Sequence, residues 1–150
     1  MRQEYSLTSA VSPRQFVVAG AALWCAAIVA APLLGIEAVY VFFSTICHQN
    51  PDRTWFIAGE PLGVCVRCAS IYMGFFLSLL VRIPASWRLL KIALAVTVAE
   101  FLLARAGLDF ALSRSVTGLL LGLAAAGFVE AGVSELFWNR LHRFRERTSQ

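Results

Sequence analysis

"VVAGAALWCAAIVAAPLLG", residues 17–35, contains no charged side chain, and no charge falls anywhere between Arg14 and Glu37. A helix needs roughly 20 mostly apolar residues to cross the hydrocarbon core of a bilayer, so this stretch is expected to be a membrane span. Three more apolar runs follow: Cys68–Val81, Ile92–Leu108 with Glu100 and Arg105 inside it, and Ser115–Trp138. Extended to helix length, the four runs predict spans over about 15–35, 64–83, 87–108 and 115–138.

Composition agrees. The chain of 150 residues is 59% hydrophobic and 15% charged, with a mean hydropathy of +0.70. A soluble domain carries about a quarter charged residues. A soluble four-helix bundle would also need a polar stripe along each helix, and none of the four runs has one. The first run is longer than the apolar core of a secretory signal, so it is expected to stay as a span. The fold class is therefore an all-α membrane protein, four transmembrane helices with a long first extracytoplasmic loop, forming one integral domain over residues 1–150.

Basic flanks stay on the cytoplasmic side of a membrane. With both termini inside, nine basic residues are cytoplasmic: Arg2, Arg14, Arg82, Arg88, Lys91, Arg140, Arg143, Arg145 and Arg147. Four are outside: Arg53, Arg67, Arg105 and Arg114. That split predicts a multi-pass protein of a prokaryotic cytoplasmic (inner) membrane with both termini cytoplasmic. The tail "RLHRFRERTSQ", residues 140–150, serves as a topology signal touching anionic membrane lipids, and no nucleic-acid partner is expected. His142 within it is expected to be solvated.

The outer loop is then residues 36–63, ending at the mouth of the second span. Its first part, "IEAVYVFFSTIC", is too short to cross; it extends the first helix or lies along the interface. "NPDRTW" and "AGEPLG" are turn-forming segments, able to fold the loop back on itself. Three of the four cysteines and one of the two histidines fall in or beside this loop.

Their order is Cys47-His48, sixteen residues, then Cys65-Val66-Arg67-Cys68. A C-x-x-C pair brings two sulfurs within reach of one metal or of each other. A third sulfur and an imidazole complete a Cys3His set, one of the usual tetrahedral zinc shells. Cys47, His48, Cys65 and Cys68 are thus the candidate metal ligands, with zinc the expected ion. Because Cys47 and His48 are neighbours, both reach one metal only if the backbone there is irregular. A structural disulfide with one spare thiol, or a working redox pair, remains open in an oxidising compartment. Catalytic residues are not identified.

Cys47-His48-Gln49, Pro51, Arg53, Gly59, Cys65-x-Arg67-Cys68 and Ile71-Tyr72-x-Gly74 resemble the signature of a small prokaryotic membrane-protein family, domain of unknown function 2085. The resemblance covers about a fifth of the chain. It implies a compact multi-span membrane protein and brings no activity with it. "GVCVRCASIY" also resembles the quinone-linked cysteine pair of disulfide-bond formation protein B, a four-helix membrane protein. That family carries a further cysteine pair in its second outer loop, where this chain reads "RAGLDFALSRS".

Arg53 and Arg67 either snorkel to lipid phosphates, hold an anionic ligand, or favour a neighbouring thiolate. With Tyr72 they are the candidate cofactor-binding residues, for a quinone under the redox reading. Cys25, in mid-span, is a packing residue. Glu100 is expected to pair with Arg105 or Arg67, since buried membrane acids are paired or functional, while Glu130 and Glu135 lie in the inner half of the last span. Gly118-x3-Gly122, followed by Ala126, is a small-residue stripe for close helix packing or for an oligomer. Three function classes follow: a protein with an extracytoplasmic metal site, a thiol–disulfide or quinone-linked oxidoreductase, and an accessory subunit bound to partners in a larger membrane complex.

Overall fold

A computed structural model describes residues 12–108 and 110–148, without the side chains of 140–148. Arg2 and the basic-tail side chains, including His142, lie outside the described residues. Five α-helices are present among those described: α1 (Pro13–Leu34), α2 (Glu37–Ser44), α3 (Val66–Val81), α4 (Trp87–Arg105) and α5 (Ala111–Thr148). A 3-10 turn (Pro51–Arg53) and two short strands, β1 (Phe56–Ile57) and β2 (Glu60–Pro61), lie between α2 and α3. The chain is helical as expected, with a helix in each apolar run.

The helices differ in length. α1 and the Ala111–Asn139 part of α5 are long and apolar enough to cross a membrane, while α3 is a shorter apolar helix of 16 residues. At 1.5 Å per residue α3 is roughly 24 Å long. It is cut short because Cys65 stands as its N-cap and Arg82 ends it in the left-handed region, at φ 63°. α4, of 19 residues, carries Arg88, Lys91, Glu100 and Arg105. Among the described residues two candidate spans, not the four expected, thus meet the length and composition of a crossing.

The surface is apolar on each of the four longer helices. Leu23, Leu80, Leu102 and Leu112 point outward, 72, 53, 61 and 76% exposed. On a soluble monomer such faces would form an unusually large apolar patch. Inward positions are small. Gly118, Gly122 and Gly74 carry the α3–α5 contact: a Cβ on Gly122 would stand 2.0 Å from the Ile71 carbonyl oxygen, and one on Gly118 2.6 Å from that of Arg67. The stripe anticipated for helix packing or for an oligomer is therefore covered by α3 of the same chain. The Ser78 hydroxyl adds a hydrogen bond to the Leu123 carbonyl at 2.9 Å.

Two ion pairs mark the two ends of the bundle. At one, Arg14 Nε meets Glu130 Oε1 at 3.0 Å, and Arg14 also donates to the Leu79 carbonyl near the end of α3. At the other, Arg67 in the first turn of α3 pairs with Glu100 of α4. The helices consequently alternate in direction. The Arg67–Glu100 pairing is one of the two anticipated; the Arg14–Glu130 pairing was not, because residues 116 apart in sequence give no local sign of meeting.

Candidate thiol and metal site

The segment between α1 and α3, expected to be the outer loop, is a folded structure. Gly35 takes a left-handed φ of 61°, ends α1 and lets the chain turn, so α2 is a separate helix and not a continuation. Phe43 on α2 is 1% exposed and joins Ile28, Leu62, Val64 and Ala69 in a core cluster that includes Cys47. Trp24 of α1 packs edge-on against Phe42, Phe43 and Tyr72 at 5.5, 5.3 and 5.6 Å. The apolar side chains of "IEAVYVFF" thus hold α2 against α1.

The return path is a hairpin. Ile57 pairs with Glu60, leaving Ala58 and Gly59 as a two-residue turn. Both have positive φ, 54° and 88°, as a type I′ turn requires. The Tyr40 hydroxyl donates to the Pro61 carbonyl at 2.6 Å, and burial, then the Glu60 carboxylate, push its pKa up. Gln49 fastens both sides of the loop: its amide nitrogen donates to the carbonyls of Tyr40 and Gly63, each at 2.7 Å. Gln49 itself has φ 48°, so the backbone after Cys47-His48 is irregular.

These contacts bring three sulfurs together. Cys65 is the N-cap of α3, Cys68 follows one turn later, and Cys47 arrives from the end of α2. The Cys65 N–H donates to Cys47 Sγ at 3.2 Å. The three sulfurs lie within 4.8 Å of one another, and all are free thiols. A tetrahedral zinc with Zn–S bonds near 2.3 Å would hold its sulfurs about 3.8 Å apart, so small side-chain adjustments suffice. Cys47 is 6% exposed, Cys65 and Cys68 partly so. A helix N-terminus is also a favourable place for thiolate charge. The donor set fits a metal.

A cavity of about 520 Å³ opens onto the sulfurs, with His48, Arg53, Arg67, Phe101 and Arg114 also in its wall. His48 is exposed and lies outside the three-sulfur cluster. Arg53 and Arg67 both line this cavity; Tyr72 is not in its wall, its ring being engaged by Trp24. Cys25 stands apart, its thiol near the Tyr72 carbonyl at 3.5 Å. Arg114 and Phe101 are site residues that the sequence reading did not single out. Arg114 had a signal: it is a basic residue near the start of a long apolar helix and is 8% exposed.

Comparison with known proteins places these residues in a family. A family model described as "Predicted membrane protein (DUF2085)" matches residues 47–128, more than half of the chain, and the match begins at Cys47. An uncharacterized protein of Methanocaldococcus jannaschii is 31% identical over 103 residues, 61% of this chain and 65% of that protein. An uncharacterized protein of Methanothermobacter thermautotrophicus is 47% identical over 34 residues, 23% of this chain and 31% of that protein. The chain thus spans less than two thirds of the length of either relative. No solved structure matches it.

Proposed function

Because the chain belongs to the DUF2085 family of predicted membrane proteins, we propose that it is an integral membrane protein whose Cys47, Cys65 and Cys68 bind one metal ion, zinc by choice of ligands, at the extracytoplasmic mouth of the bundle. The carrying observation is the approach of three free thiols, from two segments eighteen residues apart, to within 4.8 Å. Three soft thiolate donors suit zinc better than magnesium or calcium, which take oxygen. In this reading α3 and α4 also cross the membrane, giving four passes. Both termini lie in the cytoplasm of a prokaryotic cell, as the basic split requires.

A fourth ligand would come from the cavity that the three sulfurs line. His48, in the same cavity wall but outside the three-sulfur cluster, is the proposed fourth ligand. A closed Cys3His shell would fasten the loop to α3; an open fourth position would supply a Lewis acid. Elemental analysis of the purified protein tests the proposal. About one zinc per chain is expected, lost in Cys65→Ser and Cys68→Ser and retained in Cys25→Ser. Metal-free wild-type protein after purification without chelators would reject it.

A second reading has one observation in its favour: Cys65 and Cys68 are free thiols at a helix N-terminus beside a cavity large enough for a ring. In that reading the two thiols give up two electrons and two protons to a quinone, forming a disulfide and a quinol. A thiol count that falls by two on adding a soluble quinone, in metal-free protein, would select it.

A further inference from the structure

Next to the thiol cavity lies a smaller pocket of about 130 Å³, with Arg53, Arg67, Arg105 and Arg114 in its wall beside Phe101 and Ala104. The four arginines come from four elements: the 3-10 turn, the first turn of α3, the end of α4 and the first turn of α5. Three of them also face the thiol cavity, so the two spaces adjoin.

Like charges do not gather in a concavity without cause. Helix N-termini carry partial positive charge and ordinarily attract acidic side chains. Neither α3 nor α5 has an acidic residue in its first turn; each has an arginine there. Both helix starts thus add to the field of the guanidinium groups. Glu100, 7% exposed, pairs with Arg67, yet its Oε1 and the buried Arg67 Nε find no hydrogen-bond partner among the described residues. Arg105 is held over the Phe101 ring, its guanidinium carbon 5.4 Å from the centroid. Arg53 and Arg114 have interactions of their own. A guanidinium has five N–H donors, so an existing partner does not exhaust it.

We propose that this four-arginine pocket is a binding site for a phosphate-class oxyanion. Its volume is many times the roughly 10–15 Å³ that one water needs in a cavity, enough for one tetrahedral anion. Donors converging from four elements suit tetrahedrally placed oxygens better than a planar carboxylate, which one arginine can take alone. The phosphate is either free or that of a net-anionic lipid headgroup, both of which reach the outer end of the bundle. The site stands beside the thiol cluster and does not depend on the metal reading.

The test uses the full chain in phosphate-free detergent, titrated with inorganic phosphate, and the same chain in phosphatidylcholine vesicles with and without phosphatidylglycerol. Phosphorus NMR reads the bound fraction, and zinc is measured on the same samples. Saturable binding of inorganic phosphate identifies the free anion; saturable retention of phosphatidylglycerol alone identifies the headgroup. In either case Arg105→Gln and Arg114→Gln should weaken binding at least tenfold, and Arg105→Lys should recover part of it. Binding of neither probe, or equal binding by wild type and a folded Arg105→Gln, overturns the proposal. Arg105 lies outside the thiol cavity wall, so its substitution should leave zinc content unchanged. Zinc-free protein that still binds phosphate would reject only the metal reading.

Discussion

The backbone N–H of Cys65 points at the sulfur of Cys47, 3.2 Å away and eighteen positions back in the chain, across a loop that folds out and returns. This hydrogen bond ties the end of the loop to the start of α3 and sets the third thiol beside the C-x-x-C pair. Without it, Cys47 would be an ordinary buried cysteine in an apolar cluster.

Gln49 is the loop's main polar fastener. Replacing it by Ala leaves the Tyr40 and Gly63 carbonyls without their donor, at a cost of about 1–3 kcal/mol. Limited proteolysis within residues 48–63 should speed up correspondingly, while the long helices stay protected. Unchanged cleavage would show that the apolar contacts of α2 alone hold the loop.

Glycine positions on α5 should separate sharply. Gly122→Ala pushes a Cβ against the Ile71 carbonyl oxygen, which belongs to a helix backbone and cannot swing aside. A loss of ~2 kcal/mol or more is expected from such overpacking. Gly132→Ala meets nothing within 4 Å and should gain up to about 1 kcal/mol from helix propensity. Thermal unfolding of the two variants in one detergent checks the contrast.

Much of this was legible beforehand, for physical reasons. The apolar runs located every long helix, because a membrane-facing helix must be apolar over its length. The Cys47, Cys65 and Cys68 grouping followed from spacing and from the turn residues between them. The turn in "AGEPLG" was legible too, but the strand pairing was not: "FIAGEP" has no alternating pattern to show that Ile57 pairs with Glu60. The four-arginine pocket was invisible for another reason. Arg105 and Arg114 belong to different helices from Arg53 and Arg67, and their convergence depends on how α3, α4 and α5 pack.

Arg67 and Glu100 should behave as a unit. Arg67→Ala strands a nearly buried carboxylate and should cost about 3 kcal/mol, at the low end for a buried pair because the Arg67 side chain is 27% exposed. The double change to Ala and Gln should cost less than Arg67→Ala alone. A double-mutant cycle on unfolding free energies measures the coupling.

Tyr40 gives the loop an alkaline limit. Its phenol pKa is raised in the folded chain, so folding favours the protonated form. That contribution is full below the unfolded value of about 10 and is lost as pH rises toward the folded value. Loop protection against protease should fall more steeply above pH ~10 in wild type than in Tyr40→Phe. Parallel curves would contradict this.

X-ray absorption at the zinc edge of the purified full-length chain tests the three-thiol centre most directly. The predicted spectrum shows about one zinc per chain with three sulfur neighbours near 2.3 Å and one lighter neighbour near 2.0 Å. Replacement of Cys47 by Ser should remove one sulfur neighbour or the metal itself. Absence of zinc in the wild type, with Cys65 and Cys68 recovered as a disulfide-linked peptide, would contradict it.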